Sequence, residues 1–93
     1  MFSWDAHKAL SNLKKHRMSF EEAATLFLDH DALDWDDPEH SETEQRAKRL
    51  GMSFEGRILI AVYTQRRLSN GQEVIRIISA RQATRKERKA YAG

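Results

Sequence analysis

Two apolar runs constrain this chain more than anything else in it. Residues 58–63 read Ile-Leu-Ile-Ala-Val-Tyr and residues 74–78 read Val-Ile-Arg-Ile-Ile, with almost no polar alternation. β-Branched side chains suit a pleated strand, and apolar residues on consecutive positions suit a strand covered on both faces. The second run stops at Ser79 and Ala80. From Gln82 onward the residues are good helix formers with β-branching only at Thr84, so a helix is expected to begin within a residue or two. Arg81, Arg85 and Arg88 then fall at i, i+4 and i+7, and share one face if helical geometry reaches back to Arg81. Guanidinium groups in a row where a strand ends suit an anionic ligand. A solvated basic helix accounts for the same residues.

The 93 residues are expected to form one domain, residues 1–93, burying roughly two-thirds of the unfolded surface. The absence of Cys excludes disulfides, thiol catalysis and cysteine-based zinc sites, and suits a reducing cytoplasm. The N-terminus has no charged-then-apolar leader, and the run at 58–63 is too short to span a bilayer. A cytoplasmic protein without membrane contact is expected. The net charge of +2 hides a split. Residues 1–44 carry four basic and eleven acidic side chains, residues 45–93 twelve and three, so the halves stand at −7 and +9. Such asymmetry points to an anionic partner on one side, unless the fold brings the halves together to neutralise each other.

Phe2 to Trp4 read as a possible short strand, with Asp5 placed to cap a helix. In that helix Ala6, Ala9, Leu10 and Leu13 form an apolar stripe, and it should end near His16. Ser19 and Glu22 have the spacing of a capping box for a second helix, whose stripe is Phe20, Ala23, Ala24, Phe27 and Leu28. Residues 29–44 hold eight acidic side chains and no Lys or Arg. They do not make a calcium loop: counted from Asp29, the sixth position is Asp34 instead of Gly and the twelfth His40 instead of Glu. None of His7, His16, His30 and His40 pairs at i,i+4, so no metal site is expected. Short strands are expected at 32–35 and 46–52, the first followed by a turn at Asp37-Pro38 and the second by a turn at 53–56. A polar hairpin loop at 65–72 carries the turn signal Asn70-Gly71. The fold class is therefore α+β: an antiparallel sheet of three to four strands, an N-terminal helical hairpin and a C-terminal helix.

The chain also resembles a known family. Its ending, Ile77-Ile78-Ser79-Ala80-Arg81-x-Ala83-x-x-x-Glu87-Arg88-x-x-Tyr91, is similar to that of BrnT, the ribonuclease toxin of a bacterial type II toxin–antitoxin system. So are its opening (Phe2, Trp4-Asp5, Lys8, Asn12, Lys15-His16 and Ser19-Phe20-Glu21-Glu22-Ala23) and its middle (His40-Ser41, Glu44, Arg46, Gly51, Ser53, Gly56-Arg57). The resemblance implies a RelE-like fold and an endoribonuclease that inhibits translation and growth. It also implies a cognate antitoxin with a ribbon-helix-helix DNA-binding domain, joined as a heterotetramer around an antitoxin dimer, with operator DNA reached only through that antitoxin. The family usually has Gly where this chain has Arg17. Arg pays a steric cost in a left-handed helix stop, so the turn is expected to differ here.

RNA cleavage without a metal needs a base for the 2′-hydroxyl, positive charge on the phosphorane and an acid for the 5′ oxygen. Nothing in this requires Cys or a cofactor, and none is expected. Arg81 and Arg85 are the first candidates for holding phosphate, at the sheet's end and within the family motif. Arg57 comes next, and Arg88 and Lys15 add substrate contacts. Arg57 pairing with Glu55 or Glu44, and Arg88 pairing on the surface, are the plain structural alternatives. His16 has a suitable unperturbed pKa for proton transfer and follows two lysines. Equally, a His at a helix C-terminus is favoured by the helix dipole alone. His40 with Glu44 is a second pair, in a stretch that repels phosphate. Tyr91 and Trp35 suit base stacking, or an anchor and a core residue respectively. A competing class is a DNA-binding module built on the helical hairpin, motivated by Lys8, Lys14, Lys15 and Arg17 but opposed by Glu21, Glu22 and Asp29 on its second helix. A toxin relative that binds antitoxin without cutting RNA is the third.

Overall fold

The consecutive apolar runs form two long strands at the centre of a five-stranded sheet. The computed structural model describes residues 1–38 and 44–93; His40 and Ser41 of the middle motif lie outside them. The elements are β1 (Phe2–Ser3), α1 (Ala6–His16), α2 (Phe20–Ala24), a 3-10 turn (Thr25–Leu28), β2 (Leu33–Asp36), β3 (Ala47–Met52), β4 (Ile58–Arg67), β5 (Glu73–Gln82) and α3 (Arg85–Ala92). The strand order is β1-β5-β4-β3-β2. The sheet is thus larger than the three to four antiparallel strands expected, and it is mixed, because β1 runs parallel to β5. A two-residue edge strand pairing with the far end of the chain leaves no periodicity to read.

Met18, Phe20, Ala23 and Leu26 pack on Leu59, Ala61, Ile77 and Ala80, so α2 and its neighbours cover one face of the sheet. We call this the helix face and the other the open face. The core differs from the amphipathic reading of α1. Leu10 and Leu13 are 53% and 46% exposed, and α1 buries Asn12 instead. Asn12 Nδ2 donates to the carbonyls of Met18 (2.9 Å) and Ala80 (2.8 Å), and its Oδ1 accepts from the Ala80 N–H at 3.0 Å. β1 pairs with β5 only at Ile75 and Arg76, and further along that edge the Asn12 amide takes the place of a strand neighbour.

Ser19 caps α2 through the Glu22 N–H, but Glu22 does not close a capping box. Its carboxylate turns to Arg57 and Ser53. The α-helical part of α2 is five residues long before it tightens into the 3-10 turn, short for a recognition helix in a major groove, which counts against the helix-turn-helix reading. Arg17 adopts the left-handed stop after all, at φ 54° and ψ 39°, with its N–H donating to Leu13 O at 2.9 Å. Arg17→Gly is therefore expected to raise stability by about 1 kcal/mol. Urea denaturation checks this; an unchanged or lower midpoint would show that the arginine side chain offsets its backbone strain.

Candidate functional site

The open face is built from residues paired directly across the strands. Trp35 pairs with Lys48, Lys48 with Val62, and Val62 with Ser79. The next row is Leu33, Leu50, Ile60 and Arg81. Residues opposite one another point to the same face, so both rows stand on one side of the sheet, with Leu50 and Ile60 of the second row buried there and strands about 4.8 Å apart. A cavity of about 190 Å³ opens there, lined among others by His16, Lys48, Val62, Ser79 and Arg81. His16 reaches it from the last turn of α1, which Asn12 moors to β5 one helical turn earlier. An adjoining hollow shares His16 and Ser79 and adds Lys15. Trp35 stands 42% exposed on the other bank, beside Lys48.

The acidic side chains of β2 face away. Asp34 lies in the row of Arg49 and Ala61, on the helix face. It accepts from Arg49 Nη1 at 2.6 Å and from Tyr63 OH at 2.8 Å. Burial and that hydrogen bond push the Tyr63 hydroxyl far above its usual pKa. Alternation along β2 thus presents Leu33 and Trp35 to the open face, while Asp34 is spent on structure.

Arg81 belongs to β5, not to the following helix, so Arg81, Arg85 and Arg88 do not form one helical row. The helix starts only at Arg85, because Thr84 and Glu87 make a capping box that the sequence reading passed over. Glu87 also grips Arg81, with Nη1 to Oε1 at 2.8 Å and Nη2 to Oε2 at 3.0 Å. The Arg81 guanidinium, helped by the Thr84 N–H, holds the Glu87 carboxyl down at about 2. Nη1 also donates to Gln82 O at 3.2 Å. Three of five donors are then used. The Nε edge has no partner among the described residues, and with the second Nη2 hydrogen it forms a side-on fork.

The other candidates lie elsewhere. Arg57 pairs with Glu22 of α2, at 3.0 Å through Nε and more closely through Nη2, not with Glu55 or Glu44. That hydrogen bond lowers the Glu22 pKa, with Ser53 Oγ adding to it at 2.6 Å. Arg88 Nη1 donates to Ala83 O at 2.9 Å. Arg85 is exposed at the start of α3. Tyr91 OH donates to Asp29 Oδ2 at 2.7 Å, which anchors α3 and pushes the phenol up to about 12. The geometry therefore joins His16, Lys15 and Arg81, and leaves Arg57, Arg85, Arg88 and Tyr91 apart from them. Lys48 was missed because a lone Lys in a short strand reads as a solvated face. Among the described residues no three His, Cys, Asp or Glu side chains converge as metal ligands. Among them, too, no helix is long and apolar enough to cross a membrane.

The fold resembles that in a 1.1 Å crystal structure of the Brucella abortus ribonuclease toxin BrnT, with a TM-score of 0.67 over 91% of this chain and 99% of that one, at 20% identity. No curated relative matches the chain. The model of the family described as "Ribonuclease toxin, BrnT, of type II toxin-antitoxin system" matches residues 4–87. With nearly the whole chain inside that match, from Trp4 to the Glu87 that grips Arg81, this protein belongs to the BrnT family of toxins.

Proposed function

We propose that this protein is a metal-independent endoribonuclease that lays single-stranded RNA across the open face of its sheet. The observation that carries the reading is the convergence of His16, Lys48 and Arg81 on one cavity, with Trp35 on its far bank. Neutral His16 takes the 2′-hydroxyl proton, and the 2′ oxygen attacks the adjacent phosphorus. The bond to the 5′ oxygen breaks and that oxygen takes a proton from water, leaving a 2′,3′-cyclic phosphate and a 5′-hydroxyl. Lys48 and the free edge of Arg81 hold the non-bridging oxygens as charge builds on them, where preorganised donors contribute most. Lys15 steers the strand, and Trp35 stacks on a base, a contact that every base can make. This is the working face of a RelE-like cytoplasmic toxin that stops translation and growth. A ribbon-helix-helix antitoxin neutralises it as a heterotetramer, and only that antitoxin reaches operator DNA.

Purified protein incubated with single-stranded RNA and with duplex DNA tests this. Cleavage of RNA that survives a chelator, with cyclic phosphate ends, is expected. Trp35→Ala should raise KM about tenfold, from the loss of one stacking contact. Tight duplex binding without RNA cleavage would return the chain to the DNA-binding class.

A further inference from the structure

A second cavity lined by arginine lies beyond the site just described. It encloses about 380 Å³ at the β1 end of the open face, and its walls include Trp4, Asp5, Thr64, Arg66 and Arg76. Thr64 pairs with Arg76 and Arg76 with Ser3, so this cavity continues the same surface two residues along β4 from Val62. That step is about 7 Å of strand, comparable to one nucleotide of an extended chain.

A break in the strand makes this continuity possible. Arg76 and Arg81 are five positions apart, an odd number, which in a regular strand puts them on opposite faces. Val62 pairs with Ser79 and Tyr63 with Ile77, leaving Ile78 as an extra residue in β5. The bulge shifts the phase by one, so Arg76, Ser79 and Arg81 all face the open side while Ile77 and Ala80 stay in the core.

Arg76 also differs from its counterparts. Arg49, Arg57, Arg67 and Arg81 each hold a carboxylate. Arg76 is half-buried, and its side chain has no hydrogen bond or ion pair among the described residues. Arg66 beside it reaches, among the described residues, only Glu44, at 3.9 Å with its own side chain 72% exposed. A guanidinium taken partly out of water without an anion is costly, and a phosphate supplies the missing partner. In the same lining Asp5 accepts the Lys8 N–H at Oδ1 (3.0 Å), and its carboxylate also takes the His7 N–H, with lone pairs left over as acceptors. Trp4 lies half-buried next to it, edge-on to Phe20 at 6.0 Å.

We infer that this cavity is a nucleotide subsite for the residue next to the cleaved bond, an inference that rests on the ribonuclease reading above. Arg76 and Arg66 take the phosphate. The base lies against Trp4 with its Watson–Crick edge toward Asp5. A carboxylate repels phosphate and accepts from exocyclic amines, so the pocket orients its guest and prefers adenosine, cytidine or guanosine to uridine.

The test uses the full chain and short single-stranded oligoribonucleotides that differ in one base beside the cleaved bond. Arg76→Ala should raise KM about tenfold at unchanged kcat and lower the salt slope of binding by about one. Arg66→Ala, on an exposed side chain, should act in the same direction and serves if Arg76→Ala does not fold. Asp5→Asn keeps the helix cap, because Asn caps as well as Asp. It should admit uridine at that position. If wild-type protein cuts while Arg66→Ala and every folded Arg76→Ala preparation stay within twofold in KM and salt slope, the subsite alone is overturned. An unchanged base preference in Asp5→Asn would overturn the orientation assigned to the base. If wild-type protein cuts none of the RNAs, the ribonuclease reading falls and takes the subsite with it.

Discussion

Arg81→Ala is expected to lower kcat/KM for RNA about 100-fold or more, with folding retained. The magnitude follows from removing a preorganised donor aimed at developing phosphorane charge. A guanidinium locked to a carboxylate is at first sight a poor phosphate ligand, and Glu87 holds Arg81 at both terminal nitrogens. Donor geometry resolves the conflict. The carboxylate occupies the end of the fork, and the Nε edge stays available on a side chain that is 37% exposed. On the proposed reading Glu87 is a positioning residue, whose two oxygens fix the guanidinium plane. Arg81→Lys should rescue little, since an ammonium cannot serve two bidentate partners at once. Arg85→Ala is the contrasting variant, on an exposed side chain with no partner among the described residues, and should change kcat/KM less than about threefold. Cleavage kinetics with melting curves decide between them. Arg81→Ala with near-wild-type cleavage would reduce Arg81 to a clamp on α3.

The second large effect is structural. Asn12→Ala should destabilise the fold by about 3 kcal/mol, because three buried backbone groups lose their partner: the carbonyls of Met18 and Ala80 and the N–H of Ala80. In a chain of 93 residues this corresponds to a fall in melting temperature of roughly 15 °C. Asn12→Asp should fare no better, since a carboxylate cannot donate to either carbonyl. His16 sits one turn further along α1, so cleavage should fall with stability. A loss under about 1 kcal/mol in chemical denaturation would mean that water satisfies this edge as well as the amide does.

Local pattern carried much of this fold. The strand runs at 58–63 and 74–78, the end of α1 at His16 and the Asp5 and Ser19 caps were all readable from residue type and spacing. So were the motifs that resemble BrnT, and through them the toxin family. Pattern failed where partners lie far apart in sequence. The Leu10 and Leu13 stripe predicted burial for α1, but the open edge of β5 drew Asn12 inward. Arg57 read as a substrate contact at the entry to the central strand, or as a partner of Glu55 or Glu44, and it is Glu22, 35 positions away, that holds it.

What residue order determined by itself was the inventory: which segments extend, which coil, and that cations gather in the second half. Which side of the sheet each cation occupies was decided only by the assembled structure. An extra residue at Ile78 exists only relative to the partner strand that skips it, and that one-residue shift sets Arg76 and Arg81 on the same face. Side-chain alternation has a period of two, so a change of phase leaves composition and spacing untouched while reversing every direction beyond it.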